Sequence, residues 1–401
     1  MVSKACVPDK GGQRKEEMNS IFADLPTTIF EIMSGLARDK GAINLGQGFP
    51  DDPGPLDVRR AAAEAALSGP NQYPPMMGLP DLRCAIAEHY RRFQDLELDS
   101  ERETLVTSGA TEALAAAIFA TVEPGDEVVL FQPMYDAYLP LVRRAGATPR
   151  FVDLEPPHWL LREEALEAAF GPKTRAVVFN NPHNPCGIVY PRQQLELLAK
   201  FCRRWNAVAI CDEVWEHVVF DGRRHVSMLA IEGMRERAIK IGSAGKIFSL
   251  TGWKVGLAAA APELLRTLAK AHQFLTFTTP PNLQIAVALG LRKDASYFDE
   301  MRARYQRSRD RFATGMTELG FAVLPSQGTY FLDVDIAPLG ESDDTAFCLR
   351  LVETCGVAAI PVSAFYAQDH LRTVVRFCFA KEDATLDAAL ARLGEAAPVN
   401  R

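Results

Sequence analysis

The sequence has no apolar run near the roughly 20 residues that a helix needs to cross a bilayer. It also lacks a dominant charge. A formal net charge of -7 on 401 residues gives no general reason to bind nucleic acid or an anionic membrane. None of the eight cysteines are paired as C-x-x-C. Most sit in apolar runs such as "AVAIC", so buried free thiols are expected rather than disulfides or a zinc site. The seven histidines form no H-x-x-x-H pair, which argues against a protein-built metal centre. The opening "MVSKACVPDKGGQRKEEMNS" has no apolar signal-peptide core and reads as a loose tail. The expectation is a cytoplasmic protein with no metal, no membrane and no nucleic-acid partner.

What is present is ordinary globular texture, 48% hydrophobic and 24% charged, with length enough for two domains. Between about residues 56 and 290, apolar strand-like runs alternate with helix-like segments. "ETLVTSGATEAL", "DEVVLFQP", "AGATPRFVDL", "RAVVFNNPHNPCG", "NAVAICDEVW", "AIKIGSAG" and "VGLAAA" read as strands, several running directly into loops. Such apolar strands separated by helices predict a mostly parallel sheet covered on both faces, with ligand groups at the strand ends. After about residue 293 the pattern changes. A long charged helix, "DASYFDEMRARYQRSRDRFATGMTELG", precedes strands at "TYFLDVDI", "GVAAIPV" and "TVVRFCF", a smaller α+β unit. The organisation expected is therefore a tail over 1–23, a segment over 24–55 joining the small domain, a large α/β domain over 56–292 and a small domain over 293–401.

Several strand ends carry polar groups. In "TSGATEAL", small residues enter a helix, and the exposed N–H groups at its positive end suit phosphate. Side-chain capping by Ser108 or Thr111 explains the same residues. "NNPHNPCG" has two Asn-Pro steps, which can hold an amide at a fixed angle. In "AVAICDEV", Asp212 follows a run that should be buried, so it needs a cation or several donors to stay ionised. A helix cap or a magnesium ligand are the alternatives. In "SAGKIFSLTGWKVGL", Lys246 and Lys254 stand among small and apolar residues. A Walker loop is excluded, because Lys240 and Ile247 occupy the positions of its first Gly and its Ser/Thr. A lysine able to lose its charge and an acid kept ionised suit pyridoxal phosphate, the amine forming a Schiff base and the acid keeping the ring nitrogen protonated. In "TVVRFCF", Arg376 projects from an otherwise apolar strand. Its planar fork fits a substrate carboxylate, and a structural salt bridge explains it equally.

On these residues the chain resembles class I/II aminotransferases of pyridoxal-phosphate fold type I, closest to the branch of kynurenine, glutamine and methionine aminotransferases. "NLGQGFPD", "NQY", "NNPHNPCG", "CDEV", "SAGKIFSLTGWKVG" and "VRFCFAK" follow the family's order over residues 24–392. The resemblance implies a seven-stranded, mostly parallel sheet in the large domain, pyridoxal 5'-phosphate as cofactor and ping-pong transfer between an amino acid and a 2-oxo acid. It implies Lys246 as the Schiff-base lysine, Asp212 on the ring nitrogen, Asn184 on the ring's phenolic oxygen and Tyr135 stacked on the ring. Gly109, Ala110, Thr111, Ser243 and Lys254 would hold the phosphate. Arg376, with Asn184 and backbone near Gly46, would take the substrate carboxylate. Tyr73 would reach a neighbouring subunit's phosphate, which implies a homodimer with shared sites.

One position departs from the family. Where "DEVY" is usual, this chain has Trp215, whose indole N–H can donate but not accept. Near the place where dicarboxylate-specific relatives have an arginine stands Phe274, which core packing would also explain. With Phe30, Phe49 and Tyr135 it points to an amino donor with an uncharged or aromatic tip. A cysteine-S-conjugate β-lyase and a low-turnover regulatory protein remain the rival expectations.

Overall fold

A computed structural model describes residues 19–23, 25–368 and 370–396. The expected tail therefore lies, over residues 1–18, outside the described residues. The strands are β1 (Ile43–Asn44), β2 (Thr104–Thr107), β3 (Glu127–Gln132), β4 (Thr148–Asp153), β5 (Thr174–Asn180), β6 (Val208–Asp212), β7 (Ala238–Ser243) and β8 (Gly256–Ala260). They continue with β9 (Ala322–Val323), β10 (Phe331–Asp335), β11 (Val357–Ala358), β12 (Ile360–Pro361) and β13 (Val374–Cys378).

Seven strands form one sheet in the order β2-β8-β7-β6-β5-β3-β4. Neighbours from β4 through β7 pair in parallel. Only β8 runs against them, antiparallel to both β7 and β2. The reason lies in the connection: between Ser243 and Gly256 the chain makes only a short helix and a 3-10 turn, less than a covered crossover needs. The apolar runs face both ways. Ile210, Ile239 and Ile241 pack in one cluster with Ala113 and Leu114 of the helix Ala110–Thr121. Ala209, Cys211 and Phe179 pack on the other face with Leu195, Leu198 and Phe201 of the helix Arg192–Trp205. Each such large aliphatic or aromatic side chain contributes about 1.5–3 kcal/mol on burial, and burial on two faces explains why these strands show no polar alternation.

The C-terminal region builds an antiparallel sheet, β12-β13-β10-β9, and β1 pairs in parallel with β11. The run "GVAAIPV" is thus two short strands, β11 and β12, which belong to different sheets. The helix Ala295–Glu318 sets Phe312 and Met316 against the strand residues Phe377 and Val334. No helix among the described residues is long and apolar enough to cross a membrane.

Candidate active site

Strands β5, β6 and β7 end side by side at Asn180, Asp212 and Ser243. Beyond them lies a cavity of about 390 Å³, lined among others by Phe30, Gly109, Ala110, Thr111, Tyr135, Asn184, Asp212, Trp215, Ser243, Lys246, Lys254 and Arg376. Gly46 adds its backbone: its carbonyl accepts from Arg376 Nη2 at 3.2 Å. Two expected residues stand apart. Tyr73 and Phe274 are 84% and 86% exposed and do not line the cavity. Tyr73 packs edge-on against Phe277, with ring centroids 5.5 Å apart. Core packing is thereby ruled out for Phe274.

Asp212 is buried at the end of β6. The Tyr138 hydroxyl donates to its Oδ2 at 2.5 Å, and the Val214 N–H approaches Oδ1 at 3.4 Å. Burial still outweighs these donors and pushes its carboxyl up to about 6. It needs a cationic partner on its cavity side to be fully ionised at neutral pH. Neighbouring strands are laced at this level, since Asn180 Nδ2 donates to the Asp212 carbonyl and Asn180 Oδ1 accepts from Asn184 N–H.

Lys246 lies in the helix Ala244–Ile247, the turn that leaves β7. Its Nζ donates to the Tyr330 hydroxyl at 3.0 Å and the Gly48 carbonyl at 3.3 Å, and sits 4.5 Å from the centre of the Trp215 ring. Those partners are neutral. Burial accordingly pushes the ammonium down to about 8, so a usable fraction is free amine near neutral pH.

The phosphate end can be tested on geometry. Gly109 has φ +86°, and a Cβ there would come within 2.9 Å of Lys254 Cε. The hollow between this backbone and the lysine is thus open only because residue 109 is glycine. Among the described residues no side chain caps the helix Ala110–Thr121; Ser108 instead turns its hydroxyl toward Thr278 and Thr279. The first-turn N–H groups, with Ser243 and the exposed Lys254, face the same cavity. An uncapped helix N-terminus, a lysine, a hollow, a reactive amine and a buried acid together fit the phosphate, aldehyde and ring nitrogen of pyridoxal phosphate.

Arg376, on β13, is almost wholly buried. Its guanidinium carbon stacks 3.8 Å from the Phe331 ring centre and 5.4 Å from that of Phe30. Nη1 donates to Asn184 Oδ1 at 2.8 Å. Among the described residues its hydrogen bonds go to neutral oxygens, so no hydrogen-bonded ion pair holds it.

Sequence reasoning missed Tyr138, Tyr330, Asn180, Asp136 and Gln47. Tyr138 and Tyr330 touch Asp212 and Lys246 directly, and the others line the cavity. Tyr138 follows Tyr135 at helical spacing in "YDAY", which was the available signal.

A profile for the family described as Aminotransferase class I and II matches residues 40–393. A "Probable N-succinyldiaminopimelate aminotransferase DapC" of Mycobacterium tuberculosis is 47% identical over 92% of this chain and 95% of the relative. The methionine aminotransferase of Escherichia coli is 40% identical over 93% and 97%. Human kynurenine–oxoglutarate transaminase 1 is 38% identical over 88% and 92%. The solved structure of the N-succinyldiaminopimelate aminotransferase from Mycobacterium tuberculosis superposes with a TM-score of 0.92 at 46% identity, covering 95% of this chain and 100% of that one. The fold is that of the fold type I transferases, enzymes that use pyridoxal 5'-phosphate. Within them, this chain belongs to the class I and II aminotransferases and moves amino groups between amino and 2-oxo acids.

Proposed function

We propose that the enzyme takes its amino group from an L-amino acid whose side chain is uncharged or aromatic, of the methionine, glutamine or kynurenine kind. The observation that carries this reading is the cavity wall. Among the described residues the lining cations are Lys246, Lys254 and Arg376, and bound pyridoxal phosphate would engage the first two through its aldehyde and its phosphate. Phe30, Phe49, Trp215 and Phe331 supply apolar surface instead.

When bound, pyridoxal phosphate supplies an aldehyde for the incoming amine and an electron-poor ring for the electrons freed at the α-carbon. The chain's own residues do the rest. Arg376 grips the substrate carboxylate with its fork, and Asn184 and the Gly46 carbonyl hold that fork in plane. Lys246, as a free amine, would take the proton from the substrate α-carbon and deliver it to the former aldehyde carbon, two bonds away across the imine nitrogen. Asp212 holds a proton at the ring nitrogen, and the Tyr138 hydroxyl fixes the acid's direction. Gly109, Ala110, Thr111, Ser243 and Lys254 hold the phosphate.

The exposed apolar residues Tyr73, Phe274, Phe277 and Leu67 support a homodimer in which Tyr73 reaches the partner's phosphate site. Buried free thiols at Cys186, Cys202, Cys211, Cys348 and Cys378 support a reducing, cytoplasmic setting.

The test is a half-reaction screen in which the absorbance of the lysine-bound cofactor is followed with a panel of single amino acids. Methionine, glutamine, kynurenine and phenylalanine should discharge it faster than aspartate or glutamate. N-succinyl-diaminopimelate belongs in the panel, because the 47% identical relative carries that name. If it outpaces the others, the uncharged-tip reading is wrong. Pyruvate and ammonia from a cysteine S-conjugate would reveal the β-lyase.

A further inference from the structure

Behind Arg376 lies an acid for which the reaction as described has no use. Asp333, on β10, stands directly opposite Arg376 on β13, and opposed residues of an antiparallel pair share a face. Its carboxyl is buried, and among the described residues neither oxygen has a hydrogen-bond partner. Among the same residues Arg376 Nε is buried and unpartnered too. A buried cation with only neutral acceptors and a buried acid with none are thus neighbours across one pair of strands. Buried polar groups left in this state are rare and costly unless another state of the protein uses them.

We propose that Asp333 is a proton-switched counter-ion of Arg376, so that a carboxylate entering the subsite displaces its negative charge by driving a proton onto it. This rests on the reading of Arg376 as the carboxylate subsite and deepens it. The physical reason is charge balance. One guanidinium in an apolar surround can hold one anion comfortably; the second must be neutralised. Asp333 does not touch substrate and acts through Arg376, as a positioning residue.

Burial pushes the Asp333 carboxyl up to about 8, and only the Arg376 charge pulls it down. Cys186 and Tyr366, which also sense Asp333, are held well above their ordinary values by burial. Asp136 and Tyr330 act on Arg376 from other elements and Cys378 from its own strand, and all three are raised by burial. Lys246 titrates in the same range, so the wild type must be compared with a variant that keeps Lys246. Asp333→Asn is that variant, close in shape to the protonated acid.

The probes are 3-phenylpropanoate and 4-(methylthio)butanoate, carboxylates without an amino group, titrated into the pyridoxamine phosphate form of the holoenzyme from pH 6.5 to 9.5. Below pH 8 the two proteins should bind alike. Above it the wild type should lose affinity by up to about tenfold per pH unit more than D333N, because binding there takes up a proton. Above pH 8, calorimetry in two buffers of different ionisation enthalpy should show more proton uptake on binding in the wild type than in the variant. Parallel pH curves with equal proton uptake overturn the proposal. Arg376→Ala separates the two levels: if it binds the probes as well as wild type at pH 7, the subsite reading itself fails, and Asp333 falls with it.

Discussion

Strand β7 and the turn after it carry two lysines, Lys240 and Lys246, with opposite surroundings. Lys240 is wholly buried, and donates to Glu213 Oε2 at 2.7 Å and Glu216 Oε2 at 2.6 Å. Burial alone would lower it, but the two carboxylates outweigh that and hold it above its ordinary value. Lys246, six residues on, has a hydroxyl, a carbonyl and two aromatic rings for company and is pushed down to about 8. The acids differ in the same sense. Burial pushes Glu213 up, yet Lys240 and His225 bring it down to about 2, whereas Asp212 beside it rises to about 6. A buried charge that is fully paired is structure. One left short of partners is held ready for chemistry.

The comparison is broken most severely at Lys246. Lys246→Ala should lower turnover by about 10⁴-fold, the upper range for a removed proton-transfer group, with the denaturation midpoint of the apoprotein not lowered. Asp212→Asn should cost about 10²–10³-fold in kcat, the usual size for one electrostatic group at a developing charge, while carboxylate affinity stays within about twofold by titration. Lys240→Met should do the reverse. It leaves the buried Glu216 without its cation and Glu213 with only His225, and should destabilise by about 3–5 kcal/mol in urea unfolding, with kcat of the folded enzyme changed far less than in K246A. If K240M were inactive yet as stable as wild type, the division between the two lysines would be mistaken.

The finest test is the sign of pH dependence in the apoprotein. Glu213 is lowered from 4.5 to about 2, so its stabilisation is complete above pH 4.5 and lost as pH falls toward 2. Lys246 is lowered from 10.5 to about 8. The unfolded chain therefore binds more protons between those values, and stability should rise with pH through that window. Relative to Lys246→Met, the wild-type apoprotein should gain stability from pH 8 to 10.5, read from urea midpoints.

Much of this was legible in advance. The strands that end at the site are apolar on both faces, and Asp212, Lys246 and Arg376 stood out because they interrupt or follow such runs. The same logic applied to "AIKIG" and "FLDVD" marks Lys240 and Asp333, which were passed over because no motif drew attention to them. Tyr330 was beyond that reach. Its contact with Lys246 joins residues far apart in the chain, and nothing local in "GTYFL" announces it. The reversed strand β8 was equally hidden, since "VGLAAA" reads the same in either direction and only the short link before it tells.

That link has a consequence for how the enzyme can change. Lys246 and Lys254 ride on one brief span anchored at both ends by hydrogen-bonded strands, β7 and β8. The spacing between amine and phosphate holder is in effect a ruler cut into the chain. Inserting even one residue there would misalign two tasks together, while insertions in the outer helices would leave the gauge untouched.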